Sequence, residues 1–215
     1  MATCDMPPTD SASLHLSRSH APRAFAKKIF GIMPIIECTD ELMPDAESLV
    51  KSVFPSMTPL ERLSFIAIRR PESLAGRLLM WFAGVKSKVA FSVYIEETGA
   101  VLGTTGLYQY KRDAQEAVWV GWFCVDPKTR GKGIGQKLIE HTICLAVLAG
   151  FQRVRLYTST DPNEEAAQRL YEKNGFKEIS RKKGLFTTKI FREREIKQDE
   201  YGPTACLQPS PFRNC

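Results

Sequence analysis

Three glycines and two cations fall within six residues, Arg130-Gly131-Lys132-Gly133-Ile134-Gly135, between an apolar run that ends at Val125 and a helical pattern that begins at Ile134. Glycines at a helix start allow unusual backbone dihedrals and let another group approach the chain closely, while the unpaired N–H groups of the first turn point outward. With the helix dipole behind it and Arg130, Lys132 and Lys137 around it, such a turn can hold a pyrophosphate. Two familiar phosphate-binding patterns do not fit. The glycines run G-x-G-x-G rather than G-x-G-x-x-G, with no acid near position 155, and no G-x-x-x-x-G-K-[ST] loop occurs. The three histidines, His15, His20 and His141, are too scattered to suggest a metal site. The six cysteines form no C-x-x-C pair, so reduced thiols in a cytoplasmic protein are expected, with Cys124 as a small core residue.

That turn needs a strand before it and a helix after it. Val118 to Val125 is rich in β-branched and aromatic residues and suits a central strand covered on both faces. Pro127 ends the strand, having no N–H to give a ladder and biasing Asp126 away from helical geometry. From Ile134 to Ala149, residues Leu138, Ile139, Thr142, Leu145 and Ala146 recur at helical spacing, and Gly150 stops the helix. Val154 to Thr158 follows as a short strand, parallel to the one ending at Val125 because a crossover helix joins them. Asp161-Pro162-Asn163-Glu164 opens the next helix, with Asp161 as cap and Glu164 placed to answer it. Its buried stripe holds Ala166, Ala167, Leu170 and Tyr171, and Gly175 ends it. Phe176 to Ser180 and Phe186 to Arg192 read as a final antiparallel pair.

Upstream, Met33 to Thr39 reads as a first strand, followed by helices over 44–54 and from Thr58 to the break at Pro71. A further helical piece runs from Glu72 to about Ala83. Val89 to Ile95 and Ala100 to Tyr110 form a hairpin turning at Gly99. Residues 1–28 look like a disordered arm and 197–215 like a flexible tail, leaving one domain over 29–196.

The spacing Arg130-x-x-Gly133-x-Gly135, preceded by Val-Asp-Pro, resembles the acyl-CoA-binding signature of the GCN5-related N-acetyltransferase (GNAT) family. Asn163-Glu-Glu-Ala-Ala-Gln-Arg-Leu-Tyr-Glu-Lys-Asn-Gly-Phe176 is similar to that family's other cofactor segment, and the two blocks stand in the family's order. The resemblance covers roughly positions 89 to 181. It implies an α/β GNAT fold: a mixed, mostly antiparallel central sheet with helices on both faces and a parallel, splayed strand pair at the cofactor site. It also implies acetyl-CoA as co-substrate, without a metal, its pantetheine bonding to the backbone of Phe123, Cys124 and Val125 and its diphosphate on Arg130, Gly131, Lys132, Gly133, Ile134 and Gly135. By the same resemblance Tyr171 is the general acid for the departing thiolate and Asn163 a cofactor or water ligand.

The base departs from the family pattern. Many relatives carry a Glu on the strand entering the turn, but Val118 to Trp122 supply none. Glu116, at the strand's start, is the remaining carboxylate candidate, and a water chain is the other route for the amine's proton. The reaction implied is acetyl transfer to a primary amine by direct attack in a ternary complex. A small-molecule acceptor leads, with a peptide N-terminus or lysine as the alternative and a non-catalytic acyl-CoA sensor as the second. The acidic stretch Glu37, Asp40, Glu41, Asp45 and Glu47 either attracts a cationic amine or is a solvated helix start. Trp81, Phe82, Trp119 and Trp122 either wall an acceptor pocket or belong to the core.

Composition agrees with a folded globule. The 215 residues are 43% hydrophobic and 25% charged, ordinary for a globule with one sizeable core. The longest apolar run, Ile143 to Phe151, is nine residues, too short to cross a bilayer, and no secretory leader is read at the N-terminus. The net charge is +6; the basic residues cluster where CoA phosphates would need them, at 128–137 and 181–183, and near the tail, so no nucleic-acid or membrane partner is expected; a homodimer is allowed.

Overall fold

The computed structural model describes residues 34–113, 116–184 and 187–196. The arm at 1–28 and the tail at 197–215, like Met33 and Phe186, lie outside the described residues.

The chain begins with β1 (Ile35–Glu37), then three helices, α1 (Met43–Val53), α2 (Pro59–Arg69) and α3 (Leu74–Phe82). Thr58 caps α2 with a reciprocal box. Its hydroxyl accepts from Glu61 N at 3.3 Å, while Glu61 Oε2 accepts from Thr58 N at 2.8 Å. Three antiparallel strands follow, β2 (Val85–Ile95), β3 (Val101–Tyr110) and β4 (Ala117–Val125). Then come α4 (Ile134–Leu148), β5 (Arg153–Ser159), α5 (Glu165–Lys173), β6 (Lys177–Lys183) and β7 (Thr188–Glu195). Strand β2 starts four residues ahead of the expected Val89, because pairing with β3 as far as Val85↔Tyr110 carries the polar segment into the sheet.

Among the described residues the strands form one sheet in the order β1-β2-β3-β4-β5-β7-β6, antiparallel throughout except for β4 beside β5. This is the mixed, mostly antiparallel sheet that the sequence implies. One face packs on α1 and α2 through Val50, Phe65, Phe91, Val93 and Cys124. The other packs on α4 and α5 through Leu107, Val118, Val120, Ile139, Ile143 and Tyr171. Leu138, Ile139 and Ile143 are fully buried, each contributing about 1.5–3 kcal/mol by leaving water. That stripe fixes where the start of α4 sits on the sheet.

Cys38 and Cys124 are free thiols, but Cys144 on α4 takes part in a disulfide. The expectation of six reduced thiols is corrected there. Spacing along the chain says nothing about which sulfurs meet in space. Among the described residues no helix is long and apolar enough to cross a membrane.

Candidate active site

Strands β4 and β5 pair only at Ala117↔Arg153, Val118↔Val154 and Trp119↔Arg155. Beyond Trp119 they part. The β4 backbone from Val120 to Val125 therefore presents an edge that β5 does not fill, while β5 keeps its ladder to β7 as far as Ser159↔Lys189. Ligands in α/β sheets sit where the carboxyl ends of parallel strands diverge, and this gap is such a place.

A bulge in β4 shapes the gap. Against β3 the register runs Thr104↔Cys124 and then Gly106↔Gly121, so Trp122 and Phe123 stand opposite Thr105 alone. Trp122 absorbs the extra residue at φ +52, a left-handed conformation unusual for a bulky side chain and costing on the order of 1–3 kcal/mol. The bulge shifts the alternation of faces by one residue. Gly121 and Trp122 consequently both line the cavity on the α2 and α3 side, whereas Phe123 turns to the other face and meets the Tyr171 ring edge-on at 5.7 Å.

The glycine turn does two jobs. Gly133 ends the turn at φ +77 as the N-cap of α4, with no side-chain cap, and Gly131 has φ +80. A Cβ at either would meet nothing within 4 Å, so open space faces both. Arg130 and Lys132 are exposed around them. Gly135 is different: a Cβ there would come within 3.3 Å of Leu170, so it allows α5 to pack close to the start of α4. An uncapped helix N-terminus ringed by cations, next to an unfilled strand edge, fits a molecule with a diphosphate and an amide-rich arm. The residues present thus suit acetyl-CoA.

Tyr171, on α5, is 6% exposed. Burial, followed by the nearby Glu164 carboxylate and Cys124, raises its phenol well above the ordinary tyrosine range, so it carries its proton at every working pH. Asn163 lies exposed in a short turn just past β5, its backbone N–H bonding Asp161 Oδ1 at 2.8 Å. Glu164 does not answer that cap as expected. Its carboxylate instead accepts from Ser159 N at 2.9 Å, Ser159 Oγ at 2.6 Å and Thr158 Oγ1 at 2.5 Å. These stronger, charge-assisted bonds tie the end of β5 to the start of α5.

Cys124, on the unfilled edge, is buried and shares a 3.2 Å hydrogen bond with Thr104 Oγ1. Burial pushes its thiol up to about 11, which leaves it protonated and unreactive. Glu116 stands apart from these groups. It precedes the first residue of β4, is largely exposed, and pairs with Arg153 at 3.8 Å. Eight residues, roughly 26 Å of extended chain, separate it from Cys124.

On the other face a cavity of ≈ 280 Å³ lies under α2 and α3, against β2 to β5. Glu61, Tyr108, Tyr110, Trp122 and Tyr157 are among its lining residues. Of the four aromatics considered from sequence, Trp122 alone lines it. Trp119 is buried and donates to Asp113 Oδ2 at 2.6 Å, and Trp81 and Phe82 are exposed on α3. Nor does the acidic stretch 37–47 contribute to it; Glu47 pairs with Lys51 at 2.7 Å. Glu61 and the three tyrosines were missed from sequence. The Thr58-x-x-Glu61 spacing signals only a helix cap, and the tyrosines read as ordinary strand residues.

The family model of the acetyltransferase (GNAT) domain matches residues 88–178, from β2 into β6. The chain carries a GNAT acetyltransferase domain. Solved structures agree on the fold. An acetyltransferase of the GNAT family from Staphylococcus aureus superposes with a TM-score of 0.58 at 21% identity, over 76% of this chain and 98% of its own. An acetyltransferase from Streptococcus agalactiae gives 0.57 at 18% identity, over 75% and 97%. YncA from Salmonella typhimurium, solved with its cofactor acetyl-CoA, gives 0.54 at 18% identity, over 76% and 94%. No curated protein sequence matches the chain. Within this GNAT domain the site has an open glycine turn flanked by cations at one end of an unfilled strand edge, a buried phenol on one face and an aromatic cavity on the other.

Proposed function

We propose that the protein transfers the acetyl group of acetyl-CoA to a primary amine of a small molecule, the two substrates bound together. One observation carries the reading: the gap between β4 and β5 has Tyr171 on one face and the cavity on the other, so acid and amine approach a single point from opposite sides. Acetyl-CoA supplies an activated thioester carbonyl.

The chain's own residues do the rest. The turn from Arg130 to Gly135 offers N–H groups and positive charge to the diphosphate. The backbone of Phe123, Cys124 and Val125 offers a strand edge to the pantetheine arm. Asn163, at the rim, is within the chain segment that would touch the cofactor or its water. The cavity orients the amine, which must shed one proton to become nucleophilic and a second once its nitrogen has bonded to the carbonyl carbon. As the carbon–sulfur bond breaks, Tyr171 gives its proton to the sulfur and regains one from solvent, so one proton is released per turnover. Glu116 stands too far along β4 for direct contact with the amine, which favours the water route for those protons.

Release of free CoA from acetyl-CoA, measured with and without amine acceptors, tests the reading. Turnover is expected with an amine and absent from the blank. Tyr171→Phe should keep acetyl-CoA binding and lower kcat by about 10²–10⁴-fold, the range for a lost general acid. Unchanged kcat would remove Tyr171 from the mechanism.

A further inference from the structure

We propose that the cavity selects a primary amine with a single positive charge and an apolar body about the size of a phenylethyl group, with Glu61 as the counter-charge to its ammonium. The proposal rests on the acetyl-transfer reading above and names the acceptor class for that site.

Size comes first. The volume of ≈ 280 Å³ lies just under the range of about 300–1,000 Å³ usual for drug-sized ligands, so the body must be small. The position is set by the bulge: Gly121 and Trp122 from β4 and Tyr157 from β5 line the cavity, one strand from each side of the gap. A ligand filling it reaches the point where the acyl carbon is to be attacked.

Lining chemistry decides the class. Ile68, Leu79 and Met80 supply aliphatic wall, and Tyr110, Trp122 and Tyr157 supply ring faces, which favour an apolar body. The Tyr108 and Tyr157 phenols remain neutral: desolvation raises Tyr108 and pushes Tyr157 up to about 12. Two charged side chains line the cavity, Glu61 and Lys88. Lys88 Nζ donates to the Ile68 carbonyl at 3.2 Å. Glu61 Oε2 accepts from Thr58 N at 2.8 Å and Thr58 Oγ1 at 2.9 Å, and Oε1 takes no bond from the described residues. One carboxylate serves one ammonium. A second cation on the acceptor would meet Lys88 or neutral rings, so polyamines and aminoglycosides are disfavoured.

The test uses the full chain with acetyl-CoA and four acceptors: 2-phenylethylamine, spermidine, phenylalanine and a tetrapeptide. The expected result is a kcat/KM for 2-phenylethylamine at least tenfold above the other three. The variant E61Q keeps a side chain that can still close the cap, since Gln serves at that position. It should raise the KM for 2-phenylethylamine about tenfold while leaving stabilisation by acetyl-CoA unchanged. Preference for spermidine, phenylalanine or the peptide, or an unaltered KM in E61Q, overturns the assignment while acetyl transfer stands. Thermal stabilisation by acetyl-CoA without turnover of any acceptor overturns it together with the catalytic reading. Absence of both turnover and stabilisation removes the cofactor site beneath them.

Discussion

Gly121→Ala is a small change with a calculable effect on the cavity proposed to hold the acceptor. A Cβ at 121 would lie 2.6 Å from Cε1 and 3.1 Å from Cδ1 of Tyr108, where carbon atoms settle at about 3.5–4.0 Å. The Tyr108 ring must therefore move by about 1 Å. Its neighbour Tyr110, edge-on at 5.2 Å, resists on one side, but the cavity lies open on another. The ring yields into the cavity, and the cost falls near the low end of the 1–3 kcal/mol range for overpacking, about 1 kcal/mol. In a chain of this length that lowers Tm by about 2–4 °C. A ring swept through about 1 Å removes about one water's volume, near 30 Å³, roughly a tenth of the cavity. Room for a methylene is worth about 1–3 kcal/mol in such pockets, so KM for a well-fitting amine should rise about tenfold and that for a smaller amine much less. Acetyl-CoA binding should not change, because the turn and the β4 edge beyond Trp122 are untouched. Steady-state kinetics with two amines of different size, beside thermal unfolding with and without acetyl-CoA, reads all three quantities. If Tm and both KM values stay at the wild-type level, Tyr108 is not pinned over Gly121 and the cavity is not the acceptor site.

Further outcomes follow from other parts of the site. Gly133→Glu should abolish stabilisation by acetyl-CoA; Gly133→Ala, which carries only the strain of φ +77, about 1–2 kcal/mol, should retain much of it. Equal behaviour of the two in a thermal shift assay would mean that charge at the turn is irrelevant. Glu164→Ala removes the carboxylate that gathers Thr158 and Ser159 and should cost about 2 kcal/mol, seen as a Tm lower by about 4–8 °C. A loss under 1 °C would show that the β5–α5 junction holds without it. Stability should also fall in alkali. Burial raises Cys124 to about 11 and Cys38 to about 12 from an ordinary 9.0, so the unfolded chain loses these protons first. The contribution is complete below pH 9 and is lost as pH climbs through 11 to 12. Urea midpoints flat from pH 8 to 11 would contradict it.

Much of this site is legible in the sequence because its parts are local. Glycine, proline and cation types at 126–135 announce a strand end, a turn and a helix start, each within a few residues of its cause. The Asn163 to Phe176 block likewise carries its helix cap, stripe and stop in one segment. The parallel pairing of β4 with β5 follows from the crossover helix between them. What could not be read arises from residues far apart in sequence that meet across the sheet. Glu61 reaches the cavity because α2 packs on β4 through the Phe65 and Trp122 rings, and its spacing from Thr58 is already explained by the cap. Glu164 has the spacing of a cap partner too, yet the hydroxyls of Thr158 and Ser159 with one backbone N–H offer it more bonds than the Asp161 end does.

Trp122 shows why alternation alone fails at this strand. Val118 and Val120 face α4, so strict period-2 reading sends Trp122 to the same face, away from the cavity. The register against β3 does the opposite by opposing two residues to Thr105, and it reverses the faces of everything after Gly121. Phe123 then reaches Tyr171, Cys124 enters the core on the α1 side, and Trp122 lines the cavity. The left-handed backbone at a tryptophan is therefore what lets one strand present a packing partner for Tyr171 on one face and a cavity wall on the other. A β4 without that bulge would keep its pairing with β3 and lose this two-sided arrangement.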